Sequence, residues 1–82
     1  MQDHMRDRSA FGDCLENYAR RVEKTEPSLL DGARIIVDYL CRGQALAYVE
    51  HYDSGDFVAV RDAINALMSI RAGRLFDAES QK

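Results

Sequence analysis

His51, Asp53 and Asp56 form the densest gathering of side chains able to move a proton or hold a cation, and they surround the tetrapeptide Asp53-Ser54-Gly55-Asp56. An imidazole beside a carboxylate is a unit of general acid–base catalysis, and the same groups can ligate metals. Neither chemistry is completed by the spacing. A helix-borne zinc pair needs ligands at i and i+4, and a calcium loop needs alternating oxygen donors with a closing acid. Turn formation and helix capping account for these residues more simply, so no catalytic residue, metal or cofactor is expected here. A small enzyme using His51 and Asp53 is the third-ranked functional reading.

Cys14 and Cys41 are the two cysteines of the 82-residue chain. A cysteine nucleophile works as an exposed thiolate beside a base in an electropositive setting. Both cysteines instead fall on apolar faces, where a free thiol packs as a small hydrophobe. Their separation permits a disulfide, but buried thiols are the expectation. A metal site assembled from His4, Cys14, Cys41 and His51 has no recognisable ligand spacing.

The formal net charge of -3 disfavours a dedicated nucleic-acid binder, which needs clustered Lys and Arg to displace counterions from phosphates. Arg20, Arg21 and Lys24 are the closest approach to such a cluster. Glu16, Glu23 and Glu26 lie within a helical turn of them, which reads as a solvated face of i to i+3 and i+4 pairs. A helix-turn-helix motif around Gly55 would want a small residue four positions earlier and an apolar one six later, where the chain has His51 and Arg61. Its recognition helix would also bring Asp56 and Asp62 towards phosphates. A DNA-associated transcriptional regulator therefore ranks second.

The elements that position these residues read as helices throughout. Residues 1–8 are polar, without an apolar face, and are expected to be mobile. Phe11, Cys14, Leu15, Tyr18, Ala19 and Val22 then recur at three- and four-residue spacing, predicting a helix from about Ser9 to Lys24. Pro27 ends it, and Ser28 with Asp31 starts the next helix as N-cap and first-turn acid. From Ser28 to Gly43 the charged residues Asp31, Arg34, Asp38 and Arg42 occupy about a quarter of the circumference. Most of the remainder is apolar, and Leu29, Ala33, Ile36 and Leu40 make the core face. Gly43 could close this helix in a left-handed conformation, or one long helix could continue to Asp53 with its apolar face changing direction.

After the turn at 53–56, Phe57, Val60, Ile64, Leu67 and Met68 predict the core stripe of a last helix ending at Gly73, with Ala59, Ala63 and Ala66 open to close helix approach. Val58 faces away from that stripe. The tail 77–82 is expected to be loose. The fold class that follows is all-α, a small bundle of three or four short helices spanning residues 9–76 as a single domain. No segment approaches the roughly 20 apolar residues of a membrane span, and the start carries no basic-then-apolar leader, so a cytoplasmic location is expected.

Helix two presents more apolar circumference than so short a chain is expected to cover, which predicts a homodimer. Tyrosine combines a large contact area with a polar end and is enriched at interfaces. Tyr39, with Ile35, lies off the helix-two centre, and Tyr48 and Tyr52 are a turn apart. Leu75 and Phe76 follow Gly73 as an apolar pair. The protein-binding residues expected are therefore Ile35, Tyr39, Tyr48, Tyr52, Leu75 and Phe76. The function read from the sequence is a small non-catalytic adaptor or regulator of bacterial or phage type, inhibiting or modulating a protein target, with no membrane and no nucleic acid as partner.

Overall fold

The computed structural model describes the backbone of residues 2–53 and 55–80 and the side chains of residues 5–53 and 55–73. Four α-helices follow in order: α1 (Gln2–Thr25), α2 (Leu29–Ile35), α3 (Arg42–Val49) and α4 (Phe57–Ser80), with a π-helical turn, Ile36–Leu40, between α2 and α3. No strand occurs among the described residues, and the chain is all-α. No described helix is long and apolar enough to cross a membrane.

Two of the helices are not short. α1 and α4 each run for 24 residues. α1 begins at Gln2, inside the stretch expected to be mobile, because QDHMRDR lacks an apolar face but also lacks any helix breaker. α4 passes through Gly73 into the tail expected to be loose. A glycine costs a helix interior only about 1 kcal/mol, and the single positive-φ glycine among the described residues is Gly55, at +64° in the α3–α4 connection.

The stop at Pro27 and the cap at Ser28 are as the sequence predicts: the Asp31 amide donates to Ser28 Oγ at 3.2 Å. α2 then lies against both long helices. Gly32 makes that possible, since a Cβ there would sit 3.0 Å from Val22 Cγ1 and 3.1 Å from Leu67 Cδ1. Ala33 and Ile36 complete the dry contact, and both are fully buried.

The helix beginning at α2 neither ends at Gly43 nor runs straight to Asp53. Its last turn is wider, with the Cys41 amide donating to the Ile36 carbonyl at 2.7 Å, an i to i+5 bond. In a regular helix Leu40 would lie over Ile36. The extra residue in the turn puts Cys41 there instead and rotates Leu40 outwards to 40% exposure, correcting its assignment to the core. Cys41 leaves helical geometry at φ -118°, ψ 28°, and α3 starts at Arg42, one residue before the exposed Gly43.

That rotation brings Cys41 to Cys14, and the two form a disulfide with their Cα atoms 6.0 Å apart. The expectation of free thiols is thus corrected. Both cysteines do face the core, but two core-facing cysteines on packed helices can meet, and one-dimensional periodicity does not say whether they do. The bond closes a loop of 27 residues' separation and ties the middle of α1 to the π-turn.

α4 also differs in phase. Val58, Ala59, Ala63 and Leu67 are buried, whereas Phe57 is 62% exposed and Met68 about half exposed. Leu67 is where the periodicity puts it, but Val58 faces inwards and Phe57 outwards. Apolar residues line most of this helix, so several phases satisfy the pattern. The one adopted turns the small Ala59 and Ala63 inwards, which lets neighbouring backbones approach closely.

Candidate interaction surface

The proton-moving side chains do not converge on a centre. His51 Nε2 lies 2.9 Å from Asp7 Oδ2, joining the end of α3 to the first turns of α1. Asp56 accepts a bond from Arg34 Nη1 at 2.6 Å, and Arg34 Nε lies 3.6 Å from Asp38. The Asp56 bond, followed by the Asp38 charge, raises the Arg34 guanidinium above its ordinary value. His51 and Asp56 are thus drawn to opposite partners, and Asp53 is an exposed turn residue. Among the described residues no group of three or more His, Cys, Asp or Glu side chains could hold a metal ion, and the side chain of His4 lies outside them.

Seven residues separate α3 from α4, against the three or four of a helix-turn-helix. The acid–base interleaving of α1 is also more specific than a solvated face. Glu23 is buried and binds Arg71 Nε of α4 at 3.2 Å, while Arg71 Nη2 donates to the Pro27 carbonyl at 3.1 Å. Arg71 therefore clamps the α1–α2 corner from mid-helix and is not a C-terminal residue of α4. This clamp was invisible in the sequence because its partners are 48 residues apart.

The tyrosines divide sharply. Tyr48 is 2% exposed, so this residue expected at an interface is a core residue. Its ring stacks on Phe11 at 5.3 Å and meets Tyr52 edge-on at 5.3 Å, and its hydroxyl donates to Asp62 at 2.7 Å. Burial, then the bond to Asp62, pushes the phenol well above its ordinary titration range. A tyrosine serves in a core when its hydroxyl finds an acceptor, which Asp62 supplies from α4. Tyr52 packs against the same cluster from its edge, and Ile35 is half-buried. Tyr39 alone of these residues is fully available, at 78% exposure. The side chains of Leu75 and Phe76 lie outside the described residues.

Tyr39 stands at a groove of about 340 Å³ between the π-turn, α3 and the start of α4. Val37, Ala45, Leu46 and Val49 supply its apolar lining, and Asp38, Arg42 and Asp56 its charged rim. Leu46 is half-exposed, and Phe57 projects beside the rim residue Asp56. The π-turn makes this surface: the same widening that sends Val37 and Cys41 inwards leaves Tyr39 and Leu40 outside. Leu46 and Arg42 were missed as site residues because their role depends on where α3 points after Cys41. A second groove, of about 670 Å³ between α1 and α4, has the small residues Gly12, Ala19 and Ala66 along it and polar Glu16, Asn17 and Arg20 at its edge.

No protein-family model matches this chain, and neither a curated protein nor a solved structure shows significant similarity to it.

Proposed function

We propose that this protein is a non-catalytic binding module, an adaptor or regulator that acts by holding a protein through the Tyr39 groove. The observation that carries the reading is the coincidence of a highly exposed tyrosine, a half-exposed Leu46 and an apolar groove on one face. Binding energy concentrates in a few aromatic and aliphatic anchors seated in pockets, and solvent-exposed apolar residues gathered on one face of a soluble domain mark such contacts. The sequence-predicted acid–base residues support the same reading, since His51 is held by Asp7 and Asp56 by Arg34 on separate elements. Self-association through this face belongs to the reading.

A reducing cytoplasm is the harder setting to reconcile with a buried Cys14–Cys41 bond, since such bonds persist in oxidising compartments. An oxidised setting outside the cytosol fits the reading better than the location expected from the sequence.

The test is affinity capture from the native host with wild type, Tyr39→Ala and Leu46→Asp, with circular dichroism as the check on folding. A protein retained by the wild type and lost from both folded variants supports the groove as the binding surface. Retention of every captured protein by both variants overturns it.

A further inference from the structure

We propose that the Cys14–Cys41 disulfide is a redox switch for the Tyr39 groove: the oxidised chain holds the π-turn that forms the groove, and reduction returns Ile36–Leu40 to a regular α-helix that takes it apart. The consequence for binding rests on the reading of that face as a binding surface, whereas the change of helix is observable without any partner.

Two registers are open to the stretch from Leu29 to Cys41. In an unbroken α-helix Ala33, Ile36 and Leu40 share one face. Nothing in the stretch opposes that helix, since it holds no proline and its one glycine, Gly32, is already helical within α2. In the register adopted, the Cys41 amide reaches back five residues to the Ile36 carbonyl at 2.7 Å, Cys41 is fully buried and Leu40 is 40% exposed. The two registers differ by one residue's step, about 100° around the helix axis. The adopted one buries a cysteine where the other buries a leucine, and the larger aliphatic side chain gains more from burial. π-turns within α-helices are rare, so this one is held by contacts beyond its own backbone.

The disulfide is that contact. It forms only when Cys41 faces Cys14, so the bond and the π-turn stabilise each other. Reduction by a dithiol supplies two electrons and two protons: the S–S bond becomes two S–H groups, and the dithiol closes to its own disulfide. Two unbonded sulfurs need more room than a bonded pair, and here both lie in close-packed surroundings, Cys14 being 5% exposed and Cys41 wholly buried. Cys41 is the one able to leave. It sits outside helical geometry at the junction of the π-turn and α3, whereas Cys14 is fixed in the middle of α1. Its departure brings Leu40 over Ile36, which offsets part of the stability lost with the bond.

The groove straddles that junction. Val37, Asp38 and Tyr39 come from the π-turn, and Arg42, Ala45, Leu46 and Val49 from α3. A one-residue change between them turns one wall against the other. The seven residues joining α3 to α4, Gly55 among them, give α3 the slack to re-seat.

The test is NMR on the intact, isotope-labelled chain before and after dithiothreitol, with Cys14→Ala/Cys41→Ala as a chain unable to form the bond. The oxidised protein should show the hydrogen-bond coupling from the Ile36 carbonyl to the Cys41 amide. In the reduced and bond-free chains that coupling should move to the Leu40 amide. Leu40→Ala should then lower the thermal midpoint of the bond-free chain by about 5 °C or more beyond its effect on the oxidised one. A protein captured through Tyr39 should bind the bond-free chain about tenfold or more weakly, the scale of an allosteric coupling. A coupling that stays on Cys41 after reduction overturns the switch, as do equal Leu40→Ala shifts or a bond-free chain that is unfolded in the cold. Each of these leaves the binding-module reading standing. A change of register with no loss of a Tyr39-dependent partner overturns the control of binding, and failure of Tyr39→Ala and Leu46→Asp to release any captured protein overturns the binding reading alone.

Discussion

Gly32 and Tyr39 are seven residues apart on one apolar stretch of chain, yet their surroundings are opposite. Gly32 is pressed between Val22 of α1 and Leu67 of α4 so closely that a methyl group would force their side chains to shift, while Tyr39 stands open beside a groove. Both regions are rich in Leu, Ile, Val and Ala, so hydrophobicity does not distinguish them. Geometry does. Around Gly32 the chain is a regular helix between two others, and around Tyr39 the π-turn and the departure at Cys41 swing one apolar edge off the bundle. An apolar surface must be covered, but composition does not say whether the cover comes from the same chain.

The sharpest way to break this contrast is to truncate one leucine on each side. Leu67→Ala should cost about 2 to 5 kcal/mol, the range for a fully buried leucine, whereas Leu40→Ala should cost the monomer less than about 1 kcal/mol. Urea unfolding at concentrations low enough to keep the protein monomeric measures both. Equal losses would mean that Leu40 is core and the π-turn wrongly placed.

Removing the covalent tie between the two regions comes next. Reduction of Cys14–Cys41, or the Cys14→Ser/Cys41→Ser pair, should lower stability by about 3 to 4 kcal/mol, from the entropy of a loop of this length. For so small a domain that is a large share of the total. Thermal melts with and without dithiothreitol should separate clearly, and identical melts together with two alkylatable thiols in the untreated native protein would show that the bond does not form.

The smallest effect refines the core side. Tyr48→Phe keeps the ring on Phe11 but removes the bond to Asp62, and should cost about 1 kcal/mol, somewhat more because the acceptor is charged. The sign of its pH dependence follows from a phenol whose titration is raised by folding. Its contribution is complete below the ordinary tyrosine value of 10.0 and is lost as pH climbs beyond it. The difference in denaturation midpoint between wild type and Tyr48→Phe should therefore be constant from pH 6 to 9 and shrink above 10. A difference that stays flat above pH 10 would place Tyr48 in solvent.

The legible parts of the molecule were those with local causes. The α1 stripe from Phe11 to Val22, the stop before Pro27, the Ser28 cap and the turn at Gly55 all follow from spacing, a fixed φ or a short-range hydrogen bond. The exposed charges of helix two were readable for the same reason, and among the described members of the proposed binding set Tyr39 was the one found fully open. Tyr48 was misplaced because a tyrosine's environment depends on whether an acceptor waits at the far end of its ring, and Asp62 lies 14 residues away on another helix.

By itself the sequence determined that this is an all-α chain, where its two principal breaks fall, and that its apolar surface is large for its length. Backbone sterics and helical periodicity act over a few residues and need nothing else. Only the tertiary structure decided the phase of α4, the clamp of Arg71 on Glu23, the union of Cys14 with Cys41 and the outward swing of Tyr39 and Leu40. Each of these depends on which of several locally acceptable arrangements lets distant side chains meet, and the π-turn at Ile36–Leu40 accounts for the last two, since its added residue turns Cys41 inwards and Leu40 outwards.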